Sequence, residues 1–209
     1  MGLLDFLPRK RAVADMPELA DFMDGRAAFI TQKCVIEYAR ARSGTLSSKL
    51  FKEPAFRAAL EETRWRNYPL ALQSIAVMVE HALRREAGEA AGAMREGLVA
   101  AVGEVCGRYP VPKGFEADFW RVAQERISRR VWQAGLAGPH AIKDIPKETA
   151  REFFERLPIH PDLRSHDFEL VTNNLRVNLC RAHEEFLGAA DLSSLSRALV
   201  GRSQAAEGE

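Results

Sequence analysis

The sequence predicts an all-α fold: a single-domain helical bundle of six to seven helices, in mixed or orthogonal packing, with no sheet. Three observations predict it. Apolar residues along nearly the whole chain recur at spacings of three and four, the helical period. No alternating run of β-branched residues is bounded by Asn-Gly or Asp-Gly, so hairpin signals are missing. The periodic segments are separated by helix stops and starts, among them Ser43-Gly44, Glu53-Pro54 and Asp191.

The first long helix is expected from about Pro17 to Arg42, with Phe22, Phe29, Ile30, Cys34 and Tyr38 on its apolar side. "RSGTLSSK" ends it. A second helix opens at Pro54, a residue suited to the first helical position. It turns Phe56, Ala59 and Leu60 inward and reaches about Trp65, where Pro69 kinks it or starts another. "PLALQSIAVMVEHALRRE" is the most apolar segment, with Leu72, Ile75, Ala76, Val79 and Leu83 on one face. Only a narrow polar arc remains, Gln73, Ser74, Glu80, His81, Arg84 and Arg85, with His81 solvated; such a helix belongs at the centre of the bundle.

"GEAAGAMREGLVAAVGEVCGRYP" follows, rich in alanine and glycine. Gly88, Gly92, Ala93 and Gly97 let a neighbouring backbone come close, and Glu89, Arg95, Glu96 and Glu104 place that crossing in a soluble core rather than a membrane. After "PVPKG", the helix "FEADFWRVAQERISRRVWQAGL" carries Trp120, Ala123, Ile127, Val131 and Ala134 on one face. "AGPHAIKDIP" is a loop, which makes 137–146 the candidate for an internal joint. "KETAREFFERLP" is a short helix with Phe153, Phe154 and Leu157 inward. The last long helix repeats Phe168, Val171, Leu175, Leu179, Ala182 and Phe186. Asp191 caps a final turn or two, and Gly201 ends it. The all-α domain is therefore expected over 15–201, between a flexible segment 1–14 and a disordered tail 202–209.

A chain of 209 residues can bury a core without disulfide or metal staples. A net charge of +1 argues against a nucleic-acid binder, which needs a basic excess. Cys34, Cys106 and Cys180 are scattered and odd in number, as expected for reduced, buried thiols in a cytoplasmic protein. No apolar run approaches the ~18–20 residues of a membrane span. The start, "MGLLDFLPRKR", is too short and too broken by Asp5 and Pro8 for a secretory signal. Its Leu3, Leu4, Phe6 and Leu7, followed by Arg9, Lys10 and Arg11, offer at most a weak contact with an anionic membrane surface. Glycine-rich phosphate loops and a G-x-S-x-G nucleophile turn are absent, so no cofactor is expected.

The stretch "LPIHPDLRSHDFEL" concentrates titratable groups: His160, Asp162, His166 and Asp167. A catalytic or metal site there is the alternative reading. The histidines lack the H-x3-H spacing of a helical metal pair, and no Glu-x-x-His of a di-iron bundle occurs. A helix entrance explains more, with Ser165 as N-cap and Asp167 and Glu169 in the first turn. Cys180 and His183 share a helix face and form a second alternative, a thiolate with its base, although Cys180 borders the apolar stripe. Asn174, Asn178 and Arg181 align on one side, as a solvated face or as a seam toward a partner or ligand pocket.

Arg64, Trp65, Arg66 and Tyr68 at one helix end, with Arg129 and Trp132 on the most basic helix, break the inside–outside pattern. Trp, Tyr and Arg dominate binding hot spots. The expected function is therefore a non-enzymatic binding protein: an adaptor, regulator or assembly factor that engages a protein partner or a membrane surface through an Arg/Trp-rich face. The alternative is a small helical enzyme or ligand-binding protein with its pocket near His160 and His166 or near Cys180 and His183.

Overall fold

The structure, a computed structural model, describes residues 13–138 and 140–207. The apolar and basic residues Leu3 to Arg11, assigned a membrane contact above, lie outside them. α1 (Met16–Thr31) starts where Asp15 accepts the Glu18 N–H at 2.9 Å and Glu18 accepts the Ala14 N–H at 2.9 Å. That reciprocal pair satisfies two of the N–H groups a helix start leaves unpaired. One π-helical stretch, Gln32–Glu37, carries the chain on into α2 (Tyr38–Ser43), which stops at Gly44 with φ +51°. After α3 (Ser47–Leu50) come α4 (Pro54–Ala87), α5 (Ala91–Gly107), α6 (Phe119–Leu136) and α7 (Lys147–Glu155). α8 (Pro161–Arg164), α9 (Phe168–Ala189) and α10 (Leu192–Glu207) complete the order. Seven of these are longer than two turns, and among the described residues there is no sheet, only one isolated bridge between Val13 and Ala190. The fold is an all-α bundle. Among the described residues no helix is long and apolar enough to cross a membrane.

α4 is the axis on which α1, α5, α6, α9 and α10 pack. Every side chain from Asn67 to Glu80 is buried. Of the supposed polar arc, Gln73, Ser74 and Glu80 are therefore inside, because helices cover this part of α4 on all sides, while Arg84 is half-buried and Arg85 exposed. His81 is not solvated either: its ring is sunk beside Glu80, with Nδ1 2.8 Å from the Val77 carbonyl. Pro69 does not divide α4. Proline supplies no N–H to the carbonyl four residues back, and close by, Arg156 donates to the Arg66 carbonyl. Burial of Tyr68, Pro69 and Leu70 against neighbouring helices holds the segment helical.

Glu80 is 0% exposed and holds two guanidiniums, Arg84 at 2.6 Å and Arg95 at 3.0 Å. Both arginines turn to the end of α6. Arg84 donates to the carbonyls of Ala134 at 2.6 Å and Ala137 at 2.9 Å, and Arg95 to that of Gly135 at 3.5 Å. Two cations thus face one carboxylate and the negative end of a helix dipole, which supplies roughly half a further charge. Gly135 leaves room here, since a Cβ would overlap the Arg95 guanidinium and displace it.

Of the small residues in α5, Gly97 makes the close approach: a Cβ would stand 2.8 Å from the Leu199 Cα in α10, whereas Gly92 faces open space. α10 also runs past the stop expected at Gly201, to Glu207. It does so because its far end is anchored on α5: Ser203 is buried and bonds Glu96, and Arg202 stands 3.8 Å from Glu104. Phe29, expected inside, is 41% exposed and lies under Lys33 instead.

Two substitutions test this packing by chemical denaturation. Gly97→Ala should lose about 1–3 kcal/mol through overpacking, while Gly92→Ala should lose nothing and gain up to about 1 kcal/mol of helix propensity. Glu80→Gln should cost about 3–5 kcal/mol, the loss seen when one partner of a buried ion pair is removed. A cost under about 1 kcal/mol, the size of a surface pair, would show that Arg84 and Arg95 are held by the α6 carbonyls alone.

Candidate functional site

The histidine stretch resolves into caps. His160 caps the short α8, its Nδ1 accepting the Asp162 N–H at 3.4 Å, and both side chains are exposed, 68% and 89%. Ser165 is not the N-cap of α9: its hydroxyl donates to the Asp162 carbonyl at 3.2 Å, and Asp167 occupies the cap position. Asp167 accepts the Tyr38 hydroxyl and pairs with Arg42 Nε, each at 2.8 Å, so it ties α9 to α2. His166 is exposed. Among the described residues no three His, Cys, Asp or Glu side chains gather as a metal site. The organiser of the stretch is Arg164, which the sequence reading passed over. It is buried, lies 4.8 Å over the Phe154 ring and donates to the carbonyls of Phe154, Glu155 and Ile159, closing the end of α7.

Cys180 and His183 are both half-buried, and among the described residues no hydrogen bond joins them. Burial, with Glu184 beside it, pushes the Cys180 thiol up. Burial lowers the His183 ring, with His81 adding to the effect. A raised thiol and a weakened base are the reverse of an activated pair. Cys34 is buried, its thiol pushed up to about 12 despite a hydrogen bond with Asn178. Asn178 is itself buried and donates to the Asn174 carbonyl at 2.8 Å, so the asparagine side is not simply solvated. It lines a groove of about 440 Å³ between α9 and the π-helical stretch, with Tyr38, Leu170, Val177 and Arg181.

The Arg/Trp residues fall in two places. Trp65 is half-buried, with ring centroids 5.3 Å from Tyr109, 5.9 Å from Trp120 and 6.2 Å from Tyr68, all edge-on. Tyr68 is buried, not an exposed contact residue. Its hydroxyl and that of Tyr109 both donate to Asp24, at 2.7 and 2.8 Å, and Arg108 braces the same carboxylate at 3.3 Å. Burial and the Asp24 charge push both phenols up, so they stay protonated donors. Arg64 is half-buried and paired with Glu61. Arg66 is exposed, pairs with Glu62 at 2.8 Å and lies 4.8 Å over the Phe115 ring. Trp132 is twelve residues beyond Trp120 on α6, about 18 Å along the helix. It sits half-buried under Arg95, at 5.8 Å, near exposed Arg129 and the 87% exposed Leu136. The two surfaces occupy opposite ends of α6.

Next to the Trp65 cluster, α4 and α6 leave a groove of about 350 Å³. Leu70, Pro69, Phe119, Val122 and Ile127 line it, Phe115 stands at its loop side, and Arg66, Arg126 and Arg156 reach into it. Arg126 grips Glu152 with both Nη atoms, at 2.9 and 2.6 Å, and Gln73 with Nε at 3.2 Å. Arg156 bonds the same carboxylate. Arg126 holds the Glu152 carboxyl below its usual range against the opposing effect of burial. The sequence reading missed this cluster. The i,i+4 spacing of Glu152 and Arg156 was visible, but Arg126 comes from another helix.

No family model, curated protein or solved structure matches this chain.

The thiol geometry gives a direct expectation. At neutral pH a thiol reagent should modify Cys180 slowly and leave Cys34 and Cys106 untouched until the protein is denatured, read by mass spectrometry. Rapid Cys180 labelling that slows in His183→Ala would restore the nucleophile reading.

Proposed function

We propose that the protein is a non-enzymatic binding protein, an adaptor, regulator or assembly factor, that engages a protein partner through the face around Trp65 and Arg66. The observation that carries this reading is the braced aromatic cluster with an arginine edge. Trp65 is held by Tyr68, Tyr109 and Trp120 and donates to Glu61 at 2.8 Å. Tyr68 and Tyr109 in turn are fixed on Asp24. Rigid aromatics with one face open lose little entropy on binding, and Trp, Tyr and Arg are the residues that concentrate binding energy. Arg66, exposed over Phe115, supplies the charged contact. The exposed Leu136 beside Trp132 and Arg129 supports a second contact surface at the other end of α6. A cytoplasmic setting suits three free thiols.

Affinity purification from the native host, with soluble and membrane fractions separated, tests this reading. A specific partner should be lost in Arg66→Glu and in Trp65→Ala, by about thirty-fold or more in affinity if Trp65 is a hot spot of about 2 kcal/mol. Circular dichroism must show both variants folded. A partner retained by both, or lost only in Trp132→Ala, would move the interface away from this face.

A further inference from the structure

The groove between α4 and α6 has a second character that partner binding does not require. Its walls are apolar, and its charge is polarised. Glu116 and Asp118 stand at the loop end, where Asp118 is already held by Arg121 at 2.6 Å. Two helical turns along α6, about 12 Å away, Arg126 and Arg156 share the single carboxylate of Glu152. Arg66 has its own counter-ion in Glu62. The Arg126–Glu152–Arg156 group therefore carries one uncompensated positive charge. Arg156 gives an Nη2 N–H to Glu152 and an Nη1 N–H to the Arg66 carbonyl, which leaves its Nε–H without a partner among the described residues. A carboxylate is the acceptor that complements a charged guanidinium N–H.

We propose that this groove binds a small monocarboxylate with an apolar body, its carboxylate on Arg156 beside Arg126 and its body along Leu70, Val122 and Ile127. One surplus charge fits a monoanion better than a phosphate dianion. A volume of about 350 Å³ lies near the small end of ligand pockets, about 300–1,000 Å³, which suits a single short chain and not a two-chain lipid. Val122 is 49% exposed although it faces apolar neighbours, so the wall is formed and uncovered.

Decanoate, kept below its aggregation concentration, is the probe, titrated into the full chain by calorimetry with decanol and decyl phosphate in parallel. Decanoate should bind at one site with Kd below about 1 mM, and at least ten-fold more tightly than either decanol or decyl phosphate. Arg156→Gln should weaken it ten-fold or more. Should Arg156→Gln disturb α7, Val122→Glu serves in its place: an exposed position, where the new charge blocks the wall and should abolish binding with the fold intact. No saturable decanoate binding, equal binding of decanol, tighter binding of decyl phosphate, or affinity unchanged in Val122→Glu would each overturn the proposal. Partner capture through Trp65 can succeed or fail independently of this result.

Discussion

The bundle is organised around one buried negative charge. An isolated carboxylate in an apolar interior is very costly, and it persists only when paired and hydrogen-bonded. Glu80 meets that condition by recruiting Arg84 from its own helix and Arg95 from the next. Those cations then need acceptors of their own, and they find the last carbonyls of α6. Three helices are thereby registered against one another at a single depth. Such an arrangement adds little net stability over an apolar equivalent, but it is specific. Hydrophobic side chains can slide along a neighbouring helix, whereas a guanidinium tied to both a carboxylate and a helix terminus cannot.

The face around Trp65, proposed above as a contact surface, sits at the other end of α6, where aromatic rings do the equivalent job. Asp24 accepts from two tyrosines and pairs with Arg108, and the rings it steadies include both tryptophans of that end. Polar anchoring below and aromatic surface above give a face that is rigid without being closed. The carboxylate-sharing arginines open onto the neighbouring groove on the same side of α4.

Much of the fold was legible in the sequence because helix periodicity and punctuation are local. The starts at Pro54 and Asp191, the stop at Gly44 and the faces of α4, α6 and α9 follow from nearest neighbours along the chain. What the sequence did not reveal is tertiary. Pro69 reads as a break because its effect on the backbone is local, while the burial that overrides it comes from distant helices. His81 reads as solvated because a narrow polar arc normally faces water; here neighbouring helices bury Gln73, Ser74 and Glu80 of that arc and His81 beside them. Asp167 stands at the cap position expected of Ser165, yet its carboxylate is claimed by Tyr38 and Arg42, more than a hundred residues earlier. The site was half legible. Trp65 and Arg66 stand out by residue type, but the Arg126–Glu152–Arg156 group is assembled across two helices.

The crossing of α5 and α10 at Gly97 has a bearing on how the chain is made. α10 follows every other described helix in order of synthesis, yet it packs on both α5 and the central α4. While α10 is still within the ribosome, the Gly97 surface and the adjoining flank of α4 have no cover. Nascent chains at that stage expose an apolar seam, the kind of surface that chaperones hold and that aggregates form from. The seam that α10 covers is thus prepared by the absence of a side chain at Gly97.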